Sequence, residues 1–488
     1  MSQTAKENRS VVGQRFQLLL GPALFLILCL VPMEGMDRNA QICIAVYVWL
    51  IVWWAFKPIP WLATGLVPLL VLPVMNVIDL KTLTSKMYGQ RIFFLLIFLF
   101  LLSKVVERQG LAKRMAVRML AVKWIDGKVN RFILMYMAAT ALMEALFGSV
   151  GAIVSVPIGI SVIDHICSEC DRQNIAVNKT KMGAHIILAS AYGHIAGGVL
   201  TIQGVPQNIL VLSIYEELFG QNVSYFQWMI TGIPLAAAAL AAGYLILNVL
   251  YRHEIKEIPG GAGYLRREEE SLGKIKQSEK RLILILTLIV VLWIATTFVS
   301  VPGLDFFSVA MLGLFLLYLV PQSGEEQTPY LTISDAKTLN WDVIMLVVGA
   351  VGFSDILTSF GVIDFVAARM SGLHGITLLL IATFATGLMT NFLAGMATAT
   401  AMGTLLLPLL ATTGIHPLVA VRVISIMAVG LMVPWAGTSA ALFFGSQRLD
   451  MKEMCRTGII MFLALGILFI GLCLLLMNIP FLFPPIPG

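Results

Sequence analysis

The chain has 488 residues, of which 58% are hydrophobic and 12% are charged. Soluble globular proteins carry about 25% charged residues, so this composition excludes a water-soluble fold, a disordered chain and a disulfide-rich secreted domain. The net charge of +6 comes from basic residues that cluster in loops between apolar segments, which is typical of a membrane protein and not of a nucleic-acid-binding protein.

Apolar segments recur along the chain. They cover residues 16–32, 41–56, 60–79, 92–106, 132–163, 182–219, 227–251, 282–300, 304–320, 342–358, 375–413, 419–447 and 456–479. Because about 20 helical residues span an apolar core of about 30 Å, these segments predict an all-α polytopic membrane protein. We expect about 11 transmembrane helices.

Four of these segments do not fit a simple crossing. Residues 132–163 and 375–413 are too long for one helix and too short for two complete ones, which predicts two re-entrant hairpins. Residues 182–219 and 419–447 are interrupted by sequences that contain Gly and Pro, which predicts two broken helices. Irregular backbone at membrane depth is tolerated only where it lines a cavity or a site.

Lysine and arginine residues predict the orientation of the chain. The stretches 104–131 and 252–281 are rich in both residue types, and such loops face the cytoplasm. Counting helices from them places the protein in the inner membrane with its N-terminus in the cytoplasm and its C-terminus outside.

Two parts of the sequence resemble each other. Three pairs of matching residues share one offset of 251 positions: Gly110 and Gly361, Arg118 and Arg369, and Pro157 and Pro408. The first copy is basic and the second is not, so the charge bias places the copies on opposite faces of the membrane. This pattern predicts an inverted-topology repeat, the usual construction of a secondary transporter. In each copy an amphipathic connector, at 105–124 and at 359–372, precedes the hairpin.

The repeat predicts four segments. Residues 1–91 are N-terminal scaffold helices, and residues 227–341 are scaffold helices with the cytoplasmic loop 252–281. Residues 92–226 and 342–488 are the two repeats, each with an arm helix, a hairpin and a broken helix; the second ends in a last helix.

The first interruption carries a family resemblance. Residues 197–208 read Gly-Gly-Val-Leu-Thr-Ile-Gln-Gly-Val-Pro-Gln-Asn. They resemble the Gly-Gly-x-x-Thr-x-x-Gly-Thr-x-Pro-Asn signature of the divalent anion/sodium symporter family, within the wider ion transporter superfamily. The sequences 216–219, 334–342 and 444–454 also resemble that family, and the likeness covers nearly the whole chain from residue 40 onward.

The resemblance implies a secondary active transporter of a small anion, similar to a di- or tricarboxylate. It also implies a homodimer in the lipid membrane and an elevator-type movement of the hairpins and broken helices. The implied coupling ion is sodium or a proton, with no other cofactor. The alternatives are a cation/proton antiporter, or a carrier of another anion such as an oxyanion or a sulfonate, in the same superfamily. No enzyme, nucleotide-binding or metal-site motif is found.

The family has Ser-Asn-Thr at each hairpin tip, where it binds sodium and carboxylates. Counting back from Pro157 and Pro408 gives different residues here. The implied substrate contacts are Phe147, Gly148, Ser149, Thr201, Asn208, Thr398, Ala399, Thr400 and Thr438. The implied cation ligands are Ser149, Gly204, Thr398, Thr400, Ala436 and Gly437. Helix N-termini at the tips and breaks would attract an anion, because their backbone N–H groups are free.

Two ionisable residues are candidate proton carriers. Glu144 lies in the first hairpin, and a carboxylate at membrane depth is expensive and therefore a functional hypothesis. The alternative is that Glu144 reaches a water-filled vestibule or pairs with a helix end. His194 lies on the first broken helix and titrates near neutral pH, with a packing role as the alternative.

Overall fold

The computed structural model describes residues 3–252, 255–299, 301–322, 327–362, 365, 368–369, 374–430 and 432–485. Side chains are described from Arg15 onward, apart from Ala262 and Trp435. The helices of the first half are α1 Gln3–Leu30, α2 Arg38–Phe56, α3 Trp61–Thr64, α4 Leu66–Val74, α5 Leu80–Tyr88, α6 Ile92–Arg108, α7 Leu111–Leu120, α8 Val129–Phe147, α9 Val150–Arg172, α10 Lys179–Leu200 and α11 Pro206–Phe219.

The second half repeats much of this order. Its helices are α12 Tyr225–Leu250, α13 Gly261–Ser271, α14 Gln277–Ala295, α15 Phe306–Leu319, α16 Ile333–Lys337, α17 Trp341–Ser359, α18 Gly375–Thr390, α19 Gly395–Ala411, α20 Pro417–Met427, α21 Thr438–Gly445 and α22 Met451–Leu476. Within the described residues, 8 helical segments are long and apolar enough to cross a membrane, and six shorter apolar helices accompany them. The predicted all-α polytopic membrane fold is confirmed.

Matching glycines end the arm helix of each repeat. Gly110 follows α6 with a φ of 71°, and Gly361 follows α17 with a φ of 72°. This left-handed conformation just past a helix end is one that glycine adopts without steric cost. The shared offset in the sequence therefore corresponds to a shared backbone conformation. Of the second predicted connector, 359–372, residues 363, 364, 366, 367 and 370–372 lie outside the described residues.

The two arm helices run in opposite directions. Polar contacts define a basic face, formed by the loops around 108–128, 252–281 and 321–340, and an opposite face. On the basic face, Arg114 pairs with Glu279 at 3.0 Å. On the opposite face, Arg91 pairs with Asp305 at 3.0 Å. Helix α6 runs from the opposite face to the basic face, and α17 runs from the basic face to the opposite face, as an inverted repeat requires.

The second half of each broken helix packs against the other repeat. Helix α11 packs on α19 and α20, whereas α21 packs on α9 and α10. In the two repeats α11 corresponds to α21, α9 to α19 and α10 to α20. Each half-helix therefore packs on the matching pair of helices of the other repeat, as expected for two inverted copies around a shared centre.

The helices form two bundles. Helices α8 to α12 pack with α18 to α22, and the helices α1 to α6 pack with α14, α15 and α17. The predicted scaffold segment 227–341 is therefore divided: α12 packs on α8, α10 and α22, whereas α14 packs on α15 and α15 on α6. The main contact between the bundles joins α11 and α17.

Both predicted hairpins are helix–turn–helix units, with one difference from expectation. Helices α8 and α9 have 19 and 23 residues and extend beyond the apolar segment, so each is long enough to span a bilayer core. Helices α18 and α19 have 16 and 17 residues. The re-entrant entry of both hairpins remains a prediction.

Asp335 ties the loop before the second repeat to the arm helix of the first. Its carboxylate accepts the backbone N–H of Thr332 at 2.8 Å and the hydroxyl at 3.0 Å, and it lies 3.1 Å from Arg108 and 3.7 Å from Lys104. Burial alone would raise the pKa of Asp335, but the bonds from Thr332 and the two cations together lower it.

We predict that Asp335→Ala lowers the unfolding free energy by about 1–2 kcal/mol, the usual loss of a helix cap. The control Asp171→Ala removes an exposed pair with Lys179 and should leave the unfolding free energy nearly unchanged, because solvent screens exposed ion pairs. Because the pKa of Asp335 is lower when folded, its contribution is complete above about pH 4 and is lost as the pH falls through the folded pKa. Thermal unfolding in one detergent between pH 3 and 7 measures both effects; equal melting temperatures for the two variants would contradict them.

Candidate functional site

A cavity of about 520 Å³ lies where the two hairpin turns and the two helix breaks meet. The two hairpins and the two broken helices therefore converge in the folded chain. The lining from these elements consists of Ser149, Val205, Pro206, Gln207, Ala394, Gly395, Met396, Ala428, Val429, Gly430, Pro434, Ala436, Gly437, Thr438 and Ser439.

The N-termini of four helices open onto this cavity. Ser149 precedes α9, Pro206 begins α11, Gly395 begins α19 and Thr438 begins α21. The first four N–H groups of a helix have no partner within the helix, and the N-terminal end carries about half a positive charge. The cavity is therefore electropositive through backbone dipoles. Among the described residues that line the cavity, the lysine or arginine is Lys57, and its Nζ pairs with the carboxylate of Asp342 at 3.1 Å.

Polar side chains hold the first break, at residues 201–205, in place. The Asn208 amide donates to the carbonyls of Gly198 at 2.6 Å and Thr201 at 2.9 Å. The Thr201 hydroxyl and the Gln203 amide donate to Ala145 O of the first hairpin, at 2.6 Å and 3.0 Å. These bonds supply donors to carbonyls that have no partner within a helix, because they lie at the C-terminal ends of α8 and α10. Thr201 and Asn208 thus position the break and do not line the cavity.

The second break, at residues 428–437, is more open. The carbonyl of Ala428 accepts the Gln207 amide at 3.3 Å, and a Cβ on Gly395 would lie 2.2 Å from the same oxygen. The second hairpin turn therefore rests directly on this break. Beyond it, Gly437 and Thr438 are exposed to the cavity.

The predicted site residues of the first hairpin separate into two groups. Ser149 lines the cavity, together with the predicted Ala436, Gly437 and Thr438 of the second break. Phe147 is buried away from the cavity, and its carbonyl accepts the Ser103 hydroxyl at 2.8 Å.

The predicted tip of the second hairpin is displaced. Thr398, Ala399 and Thr400 are buried inside α19, and the Thr400 hydroxyl donates to Met396 O at 2.9 Å. The turn consists of residues 391–394 and is therefore two residues longer than the turn of the first hairpin. Counting back from Pro408 assumed that the two hairpin turns have the same number of residues. Ala394, Gly395 and Met396 stand at the cavity instead, and the Gly at 395 was the sequence signal for the turn.

The two candidate proton carriers lie together. His194 lines the cavity, and its Nδ1 is 2.9 Å from Oε1 of Glu144. Both residues are buried, with 1% and 0% of their surface exposed.

Arg422 on α20 is a buried cation that the sequence analysis did not identify. Its guanidinium lies over the Trp228 ring at 3.6 Å, donates to Val199 O at 3.4 Å, and also donates to Trp228 O and the Thr231 hydroxyl. It connects the end of α10 to α12. An arginine in the middle of an apolar helix was the available signal.

Comparisons with known proteins agree with the resemblance. A family model described as the sodium:sulfate symporter transmembrane region matches residues 14–481. A sodium-dependent dicarboxylate transporter, SdcS, of Staphylococcus saprophyticus is 28% identical over 500 residues, which cover 99% of this chain and 94% of the relative. The SdcS protein of Staphylococcus aureus is 29% identical over 473 residues, with 94% and 90% covered.

Two solved structures are similar in fold. The YdaH transporter of Alcanivorax borkumensis matches with a TM-score of 0.56 at 12% identity, covering 85% of this chain and 91% of that one. MtrF of Neisseria gonorrhoeae, whose study concerns antimetabolite efflux pumps, matches with a TM-score of 0.54 at 14% identity, covering 90% and 95%. At these identities the likeness shows the fold alone. The family resemblance of residues 197–208 is confirmed by the family model.

We predict that Gly204→Ala disrupts the first break. A Cβ at Gly204 would lie 2.6 Å from Gly197 O and 2.7 Å from Gly198 O, which are backbone atoms that cannot yield cheaply. The matched control is Gly437→Ala in the second break, where nothing lies within 4 Å. Size-exclusion profiles and melting temperatures should show a loss of at least 1 kcal/mol for Gly204→Ala, the lower end for overpacking at about 1–3 kcal/mol, and no loss for Gly437→Ala. A Gly204→Ala protein as stable as the control would contradict the close approach of residue 204 to the carbonyls of Gly197 and Gly198.

Proposed function

The chain belongs to the sodium:sulfate symporter family, and on that premise we propose that it is a secondary active transporter of a small dicarboxylate-like anion, coupled to sodium. Its family is one of membrane transporters and not of enzymes. The two curated relatives are named sodium-dependent dicarboxylate transporters, which supports this substrate class and this ion.

The four helix N-termini around one cavity carry the proposal. The starts of α11, α19 and α21 offer free backbone N–H groups to an anion, whereas part of the start of α9 is directed at Glu144. A preorganised set of dipoles needs no arginine to bind a carboxylate. A cavity of about 520 Å³ lies within the range of about 300–1,000 Å³ that is usual for small-molecule sites. Ser149 and Thr438, which belong to different elements of the lining, add hydroxyl groups that can donate to a dicarboxylate.

The second break supports sodium binding. A hard cation is bound by carbonyl and hydroxyl oxygens. The residues 428–430, at the end of α20, bring carbonyls to the cavity, and Thr438 and Ser439 bring hydroxyls. We propose that sodium binds here, beside the anion, so that each ion lowers the electrostatic cost of the other.

The two bundles support an elevator-type movement. The cavity is built mainly by the bundle of α8 to α12 and α18 to α22, whereas α2, α6 and α17 belong to the other bundle. We propose that the first bundle carries the bound ions across the membrane against a scaffold, with α7 as one of its arms. A homodimer through the scaffold, an inner-membrane location and a cytoplasmic N-terminus complete the proposal.

Transport is tested in proteoliposomes with a labelled dicarboxylate. We expect uptake with an inward sodium gradient and no accumulation when potassium or lithium replaces sodium. Uptake that is equal in all three salts would contradict sodium coupling, and absence of uptake for di- and tricarboxylates would contradict the substrate class.

We predict that Thr438→Val raises the KM for the anion about tenfold, because a hydrogen bond to a charged group contributes about 1.5–3 kcal/mol and every 1.4 kcal/mol is a factor of ten. The same change at Thr412, an exposed residue at the end of α19, is the control and should leave the KM unchanged. The KM is measured from initial uptake rates at saturating sodium. Equal KM values for both variants would remove Thr438 from the binding site.

A further inference from the structure

The first hairpin is built around a buried carboxylate. A Cβ on Gly151 would lie 2.6 Å from Oε2 of Glu144, and a Cβ on Gly197 would lie 2.6 Å from its Cβ. Glycine at both positions therefore leaves the room that Glu144 occupies. The carboxylate also lies against the backbone N–H groups of Gly151 and Ala152, in the first turn of α9. Part of the N-terminal dipole of α9 is thus directed at the protein's own anion.

His194 is the partner of this carboxylate. Its Nδ1 lies 2.9 Å from Oε1 of Glu144, and its ring packs edge-on against Phe443 of α21 with the ring centres 6.0 Å apart. His194 is also one of the residues around the cavity. Its Nε2 is buried, and within the described residues neither ring nitrogen of His194 nor either carboxylate oxygen of Glu144 has a hydrogen bond of good geometry. The ring therefore stands between Glu144 and the space that the anion would occupy.

Helices α8 and α10, and the helices packed against them, carry other titratable and charged groups. They are Lys104, Glu107 and Arg108 on α6; Lys113, Arg114 and Arg118 on α7; Asp164, His165, Cys167, Glu169, Cys170, Asp171 and Arg172 on α9; Tyr225 and Tyr244 on α12; Arg422 on α20; and Lys452, Glu453, Cys455, Arg456 and Cys473 on α22. On α8 and α10 themselves they are Arg131, Tyr136, Lys179, Lys181, His185 and Tyr192. Among the described residues, His194 is the basic group within ion-pair distance of Glu144.

Three backbone carbonyls at the first break already have side-chain partners, and Oε1 of Gln203 is the buried side-chain oxygen without a partner among the described residues of this break. Its carbonyls at Gly198 and Thr201 accept the Asn208 amide, and the carbonyl of Val199 accepts the Arg422 guanidinium. Phe147 and Gly148, which immediately precede Ser149 in the sequence, have no side-chain oxygen. This half of the site differs from the second, where Val429, Gly430, Thr438 and Ser439 line the cavity and two of the four residues carry hydroxyl groups.

From these observations we infer that Glu144 and His194 form a proton-binding pair that replaces a sodium ion at the first half of the site. Uptake of one proton raises the charge of the pair by one unit, which is the electrostatic change that binding a sodium ion would produce beside an anion. The proton enters the pair from the side of the cavity, where His194 stands, travels with the bound anion, and returns to water on the other side. The inference rests on the proposed function and adds a proton to its coupling.

The proton is measured directly in proteoliposomes that contain a pH-sensitive dye, with equal sodium on both sides. We expect that adding a dicarboxylate outside acidifies the interior of vesicles with the wild-type protein. In Glu144→Gln the acidification per anion taken up should fall at least fivefold, while exchange of external for internal dicarboxylate, which needs no net proton movement, continues. Glu270→Gln, the same change on the exposed surface of α13, is the control and should behave as the wild type.

The outcomes separate the inference from the proposed function. Sodium-driven uptake by the wild type without acidification would overturn the inference and leave the function. Absence of uptake under every gradient would overturn the function itself. Equal acidification per anion in the wild type and Glu144→Gln would also overturn the inference. If Glu144→Gln does not exchange dicarboxylate, His194→Gln takes its place, and wild-type acidification by that variant would overturn the inference.

Discussion

A bilayer offers no water to unpaired backbone groups, and this constraint governs the whole structure. The chain leaves the helix at four points within apolar sequence: the turns at 148–149 and 391–394, and the breaks at 201–205 and 428–437. Each interruption can persist only against another one or against a cavity. The inverted repeat satisfies the constraint by bringing all four interruptions to one cavity, where four helices begin. This arrangement is the basis of the anion site that we propose.

The two halves of this site satisfy the constraint in different ways. In the first half, side chains of the protein supply the partners: Asn208 and Thr201 hold the break, and Glu144 occupies the start of α9. In the second half, Gly437 and Thr438 leave the start of α21 exposed to the cavity. A symmetric construction therefore has asymmetric chemistry. The first half is closed by internal contacts, and the second is open to the cavity, where we propose that the transported ions bind.

The repeat and the breaks could be predicted from the sequence because they depend on residues with strong local preferences. Gly110 and Gly361 adopt the same left-handed conformation, and Pro206 begins a half-helix as its missing N–H allows. The turn of the second hairpin could not be placed by counting from Pro408, since turn length does not follow from helix register. The contact of Glu144 with His194 joins residues on different helices, and only the packing of α8 on α10 makes it visible.

The position at which the anion binds is the most direct test of the claim that the turns and breaks form the site. A structure determined with a dicarboxylate and sodium should show density for the anion between Ser149 of the first hairpin, Gly395 of the second and Thr438 of the second break, within hydrogen-bond distance of at least two helix N-termini. Density at another place, with the cavity between the turns and breaks holding water alone, would contradict the account.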